Sequence, residues 1–367
     1  MNLTNTRRTT STLADTRRNK TKRTTRKQHF IETNRMTLTG RSIMHFTKKI
    51  IAASAAAIAI AGMTSVPAHA AEKVNYLLPA PGFLPAFAPW QLAKYKGFYA
   101  DEGLDVTFQR AKGGVDVAKQ VGVGNAPIGG GIGDTSLLVR PNGIPVRSVA
   151  IMGGGSLVQL VARADRNINK VEDLKGKTIT VMSYQDTTFF AAQGILASRG
   201  LTRNDANIQA AGPQGVWKLF VQGKADAMMG VPDWIGIARG AKVKMKIFNA
   251  MDYFPSMAQA ILASDEMIKT NPKLIQGLVR ATLKGLKMIM DDPAAAAAEY
   301  VKAVPRWKVG PMTGTFKLYN EYTYPGQKVL GEMDEVRLAK LQDFYLKSGF
   351  IKKKSNVKDL YTNQFVK

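Results

Sequence analysis

Beyond residue 71 the chain alternates short apolar runs with amphipathic stretches. KVNYLL (73–78) has the density of a buried strand, and PAFAPWQLAKYKG (85–97) has helical spacing. LDVTFQR (104–110) and VDVAKQVG (115–122) repeat that pair. APIGGGI (126–132) then runs into a Gly-rich turn before a helical DTSLLVR (134–140) and a strand-like PVRSVAIM (145–152). A second series comes next: KTITVM, TTFFAAQGILASRG, ANIQAA, GVWKLFVQG, ADAMMG, DWIGIARG and VKMKIF. Strand–helix alternation of this kind predicts α/β layers with a largely parallel sheet in each half.

The two series align with each other. Gly124-x-Ala126 matches Gly223-x-Ala225, Gly131 matches Gly230, and Asp134 matches Asp233, each 99 residues on; Gly103-Leu104 matches Gly200-Leu201. Each match falls at the same point of the strand–helix plan, so the pattern predicts two similar α/β lobes. The remainder, from about Tyr253, is a strand SMAQAILAS (256–264) followed by helices. Asn271-Pro272 and Asp292-Pro293 each set a capping residue before a proline suited to the first helical turn. DEVRLAKLQDFYLKSG should end at Gly349. The strand SMAQAILAS returns the chain to the first lobe. Lobe 1 is therefore expected over 71–157 and 251–367, with lobe 2 over 158–250, joined by two crossovers. Ligand crevices lie at the carboxyl ends of the strands in such sheets, so two lobes facing each other make a cleft that closes about a hinge.

Charge changes the picture only at the N-terminus. The formal net charge is +25 over 367 residues, but the first 71 carry 13 Lys+Arg against 2 Asp+Glu. Residues 1–43 are rich in Thr, Arg, Lys and Asn without apolar periodicity, which predicts disorder. A nucleic-acid-binding arm is one reading; an extension ahead of the true translation start agrees better with the segment that begins at Met44. There Lys48 and Lys49 precede an apolar run of 13 residues, Ile50 to Gly62, and Ala68-His69-Ala70 supplies a small-x-small cleavage site. This predicts a secretory signal peptide over 44–70, since a membrane span needs about 20 apolar residues. The exported chain is then expected in the periplasm, unanchored and monomeric.

Composition removes most catalytic chemistry. There is no cysteine, and the three histidines are His29, His45 and His69, all within or before the signal segment. Thiol nucleophiles, disulfides, imidazole bases and thiolate or imidazole metal sites are excluded from the exported part. No catalytic residue, metal site or cofactor is expected, and a secreted enzyme is the lesser reading.

YKGFYADEGLDV (95–106), VEDLKGKTITV (171–181), VQGKADAMMG (221–230) and SDEMIKTNPKLIQGLVRA (264–281) resemble the periplasmic substrate-binding proteins of ABC importers. The group that the chain is similar to handles nitrate, sulfonates, taurine and thiamine-pyrimidine precursors. The resemblance implies a type II periplasmic-binding-protein fold, a small-molecule ligand and a membrane permease as partner, with no nucleic acid. The loop PAPGFLPAFAPW lacks the Asn and His of the pyrimidine-precursor binders. One branch of the superfamily makes its pyrimidine by consuming its own histidine, and this chain offers none after residue 69.

Candidate ligand residues are those of the loops after strands. Phe83 and Phe87 either stack on the ligand or close the core beneath the loop. Asp134 and Thr135, and Asp233 and Trp234, open the helices after the two matched strands. The aspartates either face the ligand or cap their own helices, and Trp234 either covers the ligand or packs under its lobe. Ser183, Gln185, Asp186 and Thr187 make a polar turn before a helix, suited to an anion or carbonyl. Phe254 sits at the return crossover. No arginine falls in these loops. The positive charge favours an anionic solute such as a sulfonate, taurine-like compound or aromatic carboxylate; the alternative is a pyrimidine or other nitrogen heterocycle.

Overall fold

The computed structural model describes residues 70–366. The basic extension over 1–43 and the signal segment over 44–70, its last residue apart, lie outside the described residues.

The first series forms β1 (Glu72–Leu78), α1 (Ala88–Tyr95), α2 (Phe98–Asp101), β2 (Leu104–Arg110), α3 (Gly114–Gly122), β3 (Ile128–Ile132), α4 (Thr135–Val139) and β4 (Val146–Ile151). The second forms β5 (Gln159–Arg163), β6 (Thr178–Val181), α5 (Thr187–Ala197), β7 (Asn207–Ala210), α6 (Gly212–Val221), β8 (Ala227–Gly230), α7 (Pro232–Gly240) and β9 (Met245–Phe248). After β10 (Gln259–Ser264) come α8 (Asp265–Thr270), α9 (Pro272–Asp291), α10 (Pro293–Ala303), α11 (Val309–Tyr322) and α12 (Glu335–Lys347).

The strands make two five-stranded sheets of matching order, β2-β1-β3-β10-β4 and β7-β6-β8-β5-β9. The chain thus has a periplasmic-binding-protein fold of two α/β lobes, with crossovers at 152–158 and 249–258. The sheets are mixed rather than largely parallel. β1 runs parallel to β2 and β3, and β6 parallel to β7 and β8; β10 lies antiparallel between β3 and β4, and β5 antiparallel between β8 and β9. The antiparallel strand of each sheet is the one entered directly from a crossover. Its chain arrives from the cleft, where the parallel strands end, so it runs back against them.

The internal repeat has a local cause. Gly124 and Gly223, just past α3 and α6, hold φ values of 79° and 71°, left-handed conformations that stop a helix cheaply only with glycine. The two caps work as their types require: Asn271 Oδ1 accepts from the Leu274 N–H (3.2 Å), and Asp292 Oδ1 from the N–H groups of Ala294 (2.9 Å) and Ala295 (3.0 Å). Helix α11 has no counterpart in the apolar pattern, because Gly310, Pro311 and Gly314 in its first turns mask the helical signal.

Of the C-terminal helices, α9 packs on α1 and the first sheet, α11 packs on α7 of the second lobe, and α12 reaches the crossovers. Arg337, near the start of α12, donates to the carbonyls of Gly154 and Gly155 in the first crossover and of Pro255 and Ser256 in the second. One guanidinium therefore ties both connections between the lobes.

Candidate functional site

The carboxyl ends of the strands face a cleft with two connected chambers. The inner chamber contains about 570 Å³ of space between protein atoms, part of it open to solvent. Lobe 1 contributes Leu84, Phe87, Ile132 and Leu157 to its apolar walls, and lobe 2 contributes Met182, Val231 and Trp234. Its polar lining is Gln259 from β10 with Asp186, Thr187, Thr188 and Asp233 from lobe 2. No lysine or arginine is among the lining residues.

Each polar group has a definable state. Asp186 caps α5: its Oδ1 accepts from the Thr188 N–H (2.9 Å) and hydroxyl (2.7 Å), while burial raises its pKa. Asp233, in the first turn of α7, is 2% exposed; burial pushes its carboxyl up to about 7, although the Tyr319 hydroxyl donates to Oδ1 at 3.3 Å. A carboxyl raised this far can offer a donor as well as an acceptor near neutral pH. Gln259 donates from Nε2 to the Ala86 carbonyl (2.7 Å), leaving Oε1 without a partner. The indole N–H of Trp234, a residue 4% exposed, also has none. Buried polar atoms are rarely left unpaired, because each forgoes a hydrogen bond to water. Gln259 and Trp234 both line the same apolar chamber, and each has one polar atom without a partner in the protein.

The outer chamber, about 1120 Å³ of space between protein atoms with part of it open to solvent, shares Leu84, Asp233 and Trp234 with the inner one. It adds Phe83, Arg110, Arg306 and Trp307 from lobe 1 and the first residues of α6, with Trp217, from lobe 2. Three of the four tryptophans of the chain thus line this cleft; the fourth, Trp90, is buried in the core of lobe 1.

The expected site residues divide in two. Phe87, Asp186, Thr187, Asp233 and Trp234 line the inner chamber, Asp233 and Trp234 also the outer, and Phe83 the outer alone. Ser183 and Gln185 line neither: the Ser183 hydroxyl turns back to accept from the Gln185 N–H (3.3 Å), and Gln185 is exposed. Asp134 neither faces the ligand nor caps α4. It is fully buried inside lobe 1, where Tyr345 donates to its Oδ2 at 2.5 Å, and burial pushes its pKa up to about 6. Thr135 accepts the Ile132 N–H behind the strand end (3.0 Å). Phe254 does not close the cleft; it stacks on Tyr345 (ring centroids 5.6 Å) and fills the space left by Gly194 of α5. The Gly-rich stretch over 129–133 divides in the same way. Of its glycines, Gly131 lines the chamber, whereas a Cβ at Gly129 would lie 2.4 Å from Val117 and one at Gly133 2.7 Å from Ile151 and Met257. Most of these glycines serve packing within lobe 1.

Sequence reasoning missed Gln259, Arg110, Arg306, Trp217 and Trp307. Arg110 ends β2 and the first turn of α6 comes directly after β7, so the strand-end rule reaches both positions. Gln259 opens a crossover strand and Arg306 a helix–helix turn, and no local signal marks either.

The NMT1/THI5 like family model matches residues 84–296. The riboflavin-binding protein RibY of Chloroflexus aurantiacus is 28% identical over 330 residues, covering 83% of this chain and 90% of that protein. The 4-amino-5-hydroxymethyl-2-methylpyrimidine phosphate synthase THI12 of Saccharomyces cerevisiae is 24% identical over 64% of this chain and 72% of its own. Among solved structures, the alkanesulfonate-binding protein SsuA from Xanthomonas axonopodis pv. citri superposes with a TM-score of 0.64 at 16% identity, covering 80% of this chain and 98% of that one. At that identity the likeness concerns the fold alone. With a family model spanning more than half of its length and the fold and cleft in agreement, the chain belongs to the NMT1/THI5-like family.

Proposed function

We propose that the protein is a periplasmic receptor of an ABC importer. It captures a flat nitrogen heterocycle, of the pyrimidine or flavin kind, by lobe closure, and delivers it to a membrane permease without chemical change. The observation that carries this is the composition of the cleft: three tryptophans, apolar walls, and an unpartnered donor and acceptor at Trp234 and Gln259. Flat aromatic rings gain from stacking on such walls, and ring carbonyl and N–H groups match the two free atoms. The relatives named for riboflavin and for a pyrimidine product support the same class. The signal segment expected over 44–70 supports export, and among the described residues no helix is long and apolar enough to cross a membrane.

The sulfonate expected from net charge finds less support in the inner chamber. Its ionisable groups are two carboxylates, Asp186 and Asp233, and no basic side chain offsets them. A buried anion there would need a partner that the lining lacks.

Tryptophan fluorescence tests the proposal directly. Riboflavin and a hydroxymethylpyrimidine should quench the cleft tryptophans and raise Tm, with a ligand at 100 times its Kd adding about 2.7 kcal/mol of stability. An alkanesulfonate or taurine should do neither. A response confined to sulfonates would refute the heterocycle assignment, and product formation from a bound heterocycle would refute the receptor role.

A further inference from the structure

The outer chamber differs from the inner one in charge. Arg110, the last residue of β2, and Arg306, in the turn between α10 and α11, both line it and both are exposed. Among the described residues neither makes an ion pair, whereas Arg140, Arg147, Arg163 and Arg166 are each held by a carboxylate. Arg306 is nonetheless held in place. Its guanidinium lies 3.8 Å from the centroid of the Phe83 ring, and the Phe83 carbonyl accepts both from the Tyr300 hydroxyl (2.9 Å) and from the Trp307 indole N–H (2.8 Å). The cation is thus mounted on a fixed aromatic shelf at the mouth of the cleft.

Lobe 2 adds to the positive field from the other side. Helix α6 begins at Gly212 with Pro213 in its first turn and no side-chain cap; the Gly212 N–H is taken by the Met182 carbonyl (2.9 Å), so its positive end opens on the chamber through Gln214 and Gly215. Trp234, with its unpartnered indole N–H, stands between this chamber and the inner one. The one carboxylate of the outer lining is Asp233, which burial keeps partly protonated near neutral pH.

We infer that the outer chamber is an anion subsite. It holds the phosphate-type end of a tail attached to the ring in the inner chamber, with Arg110 and Arg306 as its charged contacts and the start of α6 behind. This rests on the heterocycle reading and narrows it: the preferred solute is a phosphorylated heterocycle, with the neutral ring alone as a weaker ligand. Arginine suits the role because its planar fork pairs with two oxygens of one phosphate.

Titrating the chain with riboflavin and with its 5′-phosphate separates the two inferences. The phosphorylated form should bind about tenfold more tightly at low salt, and its advantage should shrink as salt rises. Arg110→Gln and Arg306→Gln should each weaken the phosphorylated form far more than riboflavin, so that most of that advantage is lost. Equal affinity for both forms in the unaltered chain, or an advantage that survives both substitutions, overturns the anion subsite while leaving the heterocycle reading intact. If neither flavin binds, the same titrations with a phosphorylated and an unphosphorylated hydroxymethylpyrimidine apply the same criteria. If no ring compound binds, the heterocycle reading fails, and inorganic phosphate alone tests the subsite. Tryptophan quenching by phosphate that is lost in Arg306→Gln supports it, and no quenching overturns it.

Discussion

The two aspartates matched by the repeat, Asp134 and Asp233, are both buried and both meet a tyrosine hydroxyl from a C-terminal helix, Tyr345 and Tyr319. Burial raises their pKa values to about 6 and about 7, above the ~3.9 of an unfolded aspartate. The folded state therefore binds these protons more tightly than the unfolded state. Their contribution to stability is complete below about pH 4 and is lost as pH rises through 6 to 7. Asp233→Asn keeps the shape and removes the ionisation, so its Tm should vary less than that of the parent between pH 5 and 8. At pH 8 it should be the more stable by roughly 2 kcal/mol; thermal melts across that range measure both effects. Trp234→Phe keeps an aromatic wall and deletes the free N–H. It should weaken heterocycle binding about tenfold with little change in Tm, read by titration against a melt. The sequence locates Asp233 and Trp234 because they come directly after a strand end. It does not separate Asp233 from its twin Asp134, which Tyr345 of α12 buries inside its own lobe.

At the level of elements, strands and most helices were legible from spacing and caps. The exceptions have physical causes. β3 is not among them: despite three consecutive glycines, Gly129 to Gly131, it reads as a strand, and in the sheet it is buried and pressed by Val117 and Leu262. α11 is masked by its glycines and proline, yet it brings Tyr319 to Asp233. The crossover tie through Arg337 is likewise invisible locally, since its four carbonyl partners lie in two segments about a hundred residues apart. Arg337→Met fills similar space without donors and leaves those carbonyls unpaired. It should lower unfolding free energy by about 2–4 kcal/mol in urea denaturation, with Arg337→Lys recovering part of the loss.

For the whole molecule, two lobes tied by two short crossovers predict a closure motion. Ligand binding should reduce the radius of gyration measured by small-angle scattering, and the reduction should track occupancy in a titration. An unchanged radius at saturation would mean a cleft that fills without closing. What the sequence determined by itself was everything set over a few neighbouring residues: strand and helix periods, proline-capped helix starts, left-handed glycines at matched helix ends, and through their repetition a two-lobed α/β plan. Tertiary structure alone decided the direction of β5 and β10 and the chemistry of the cleft. Gln259 meets Ala86 across 173 positions of sequence, and Trp307 meets Phe83 across 224. Contacts of that span leave no trace in local pattern, because they depend on which surfaces the packed lobes bring together and which polar atoms that packing leaves without partners.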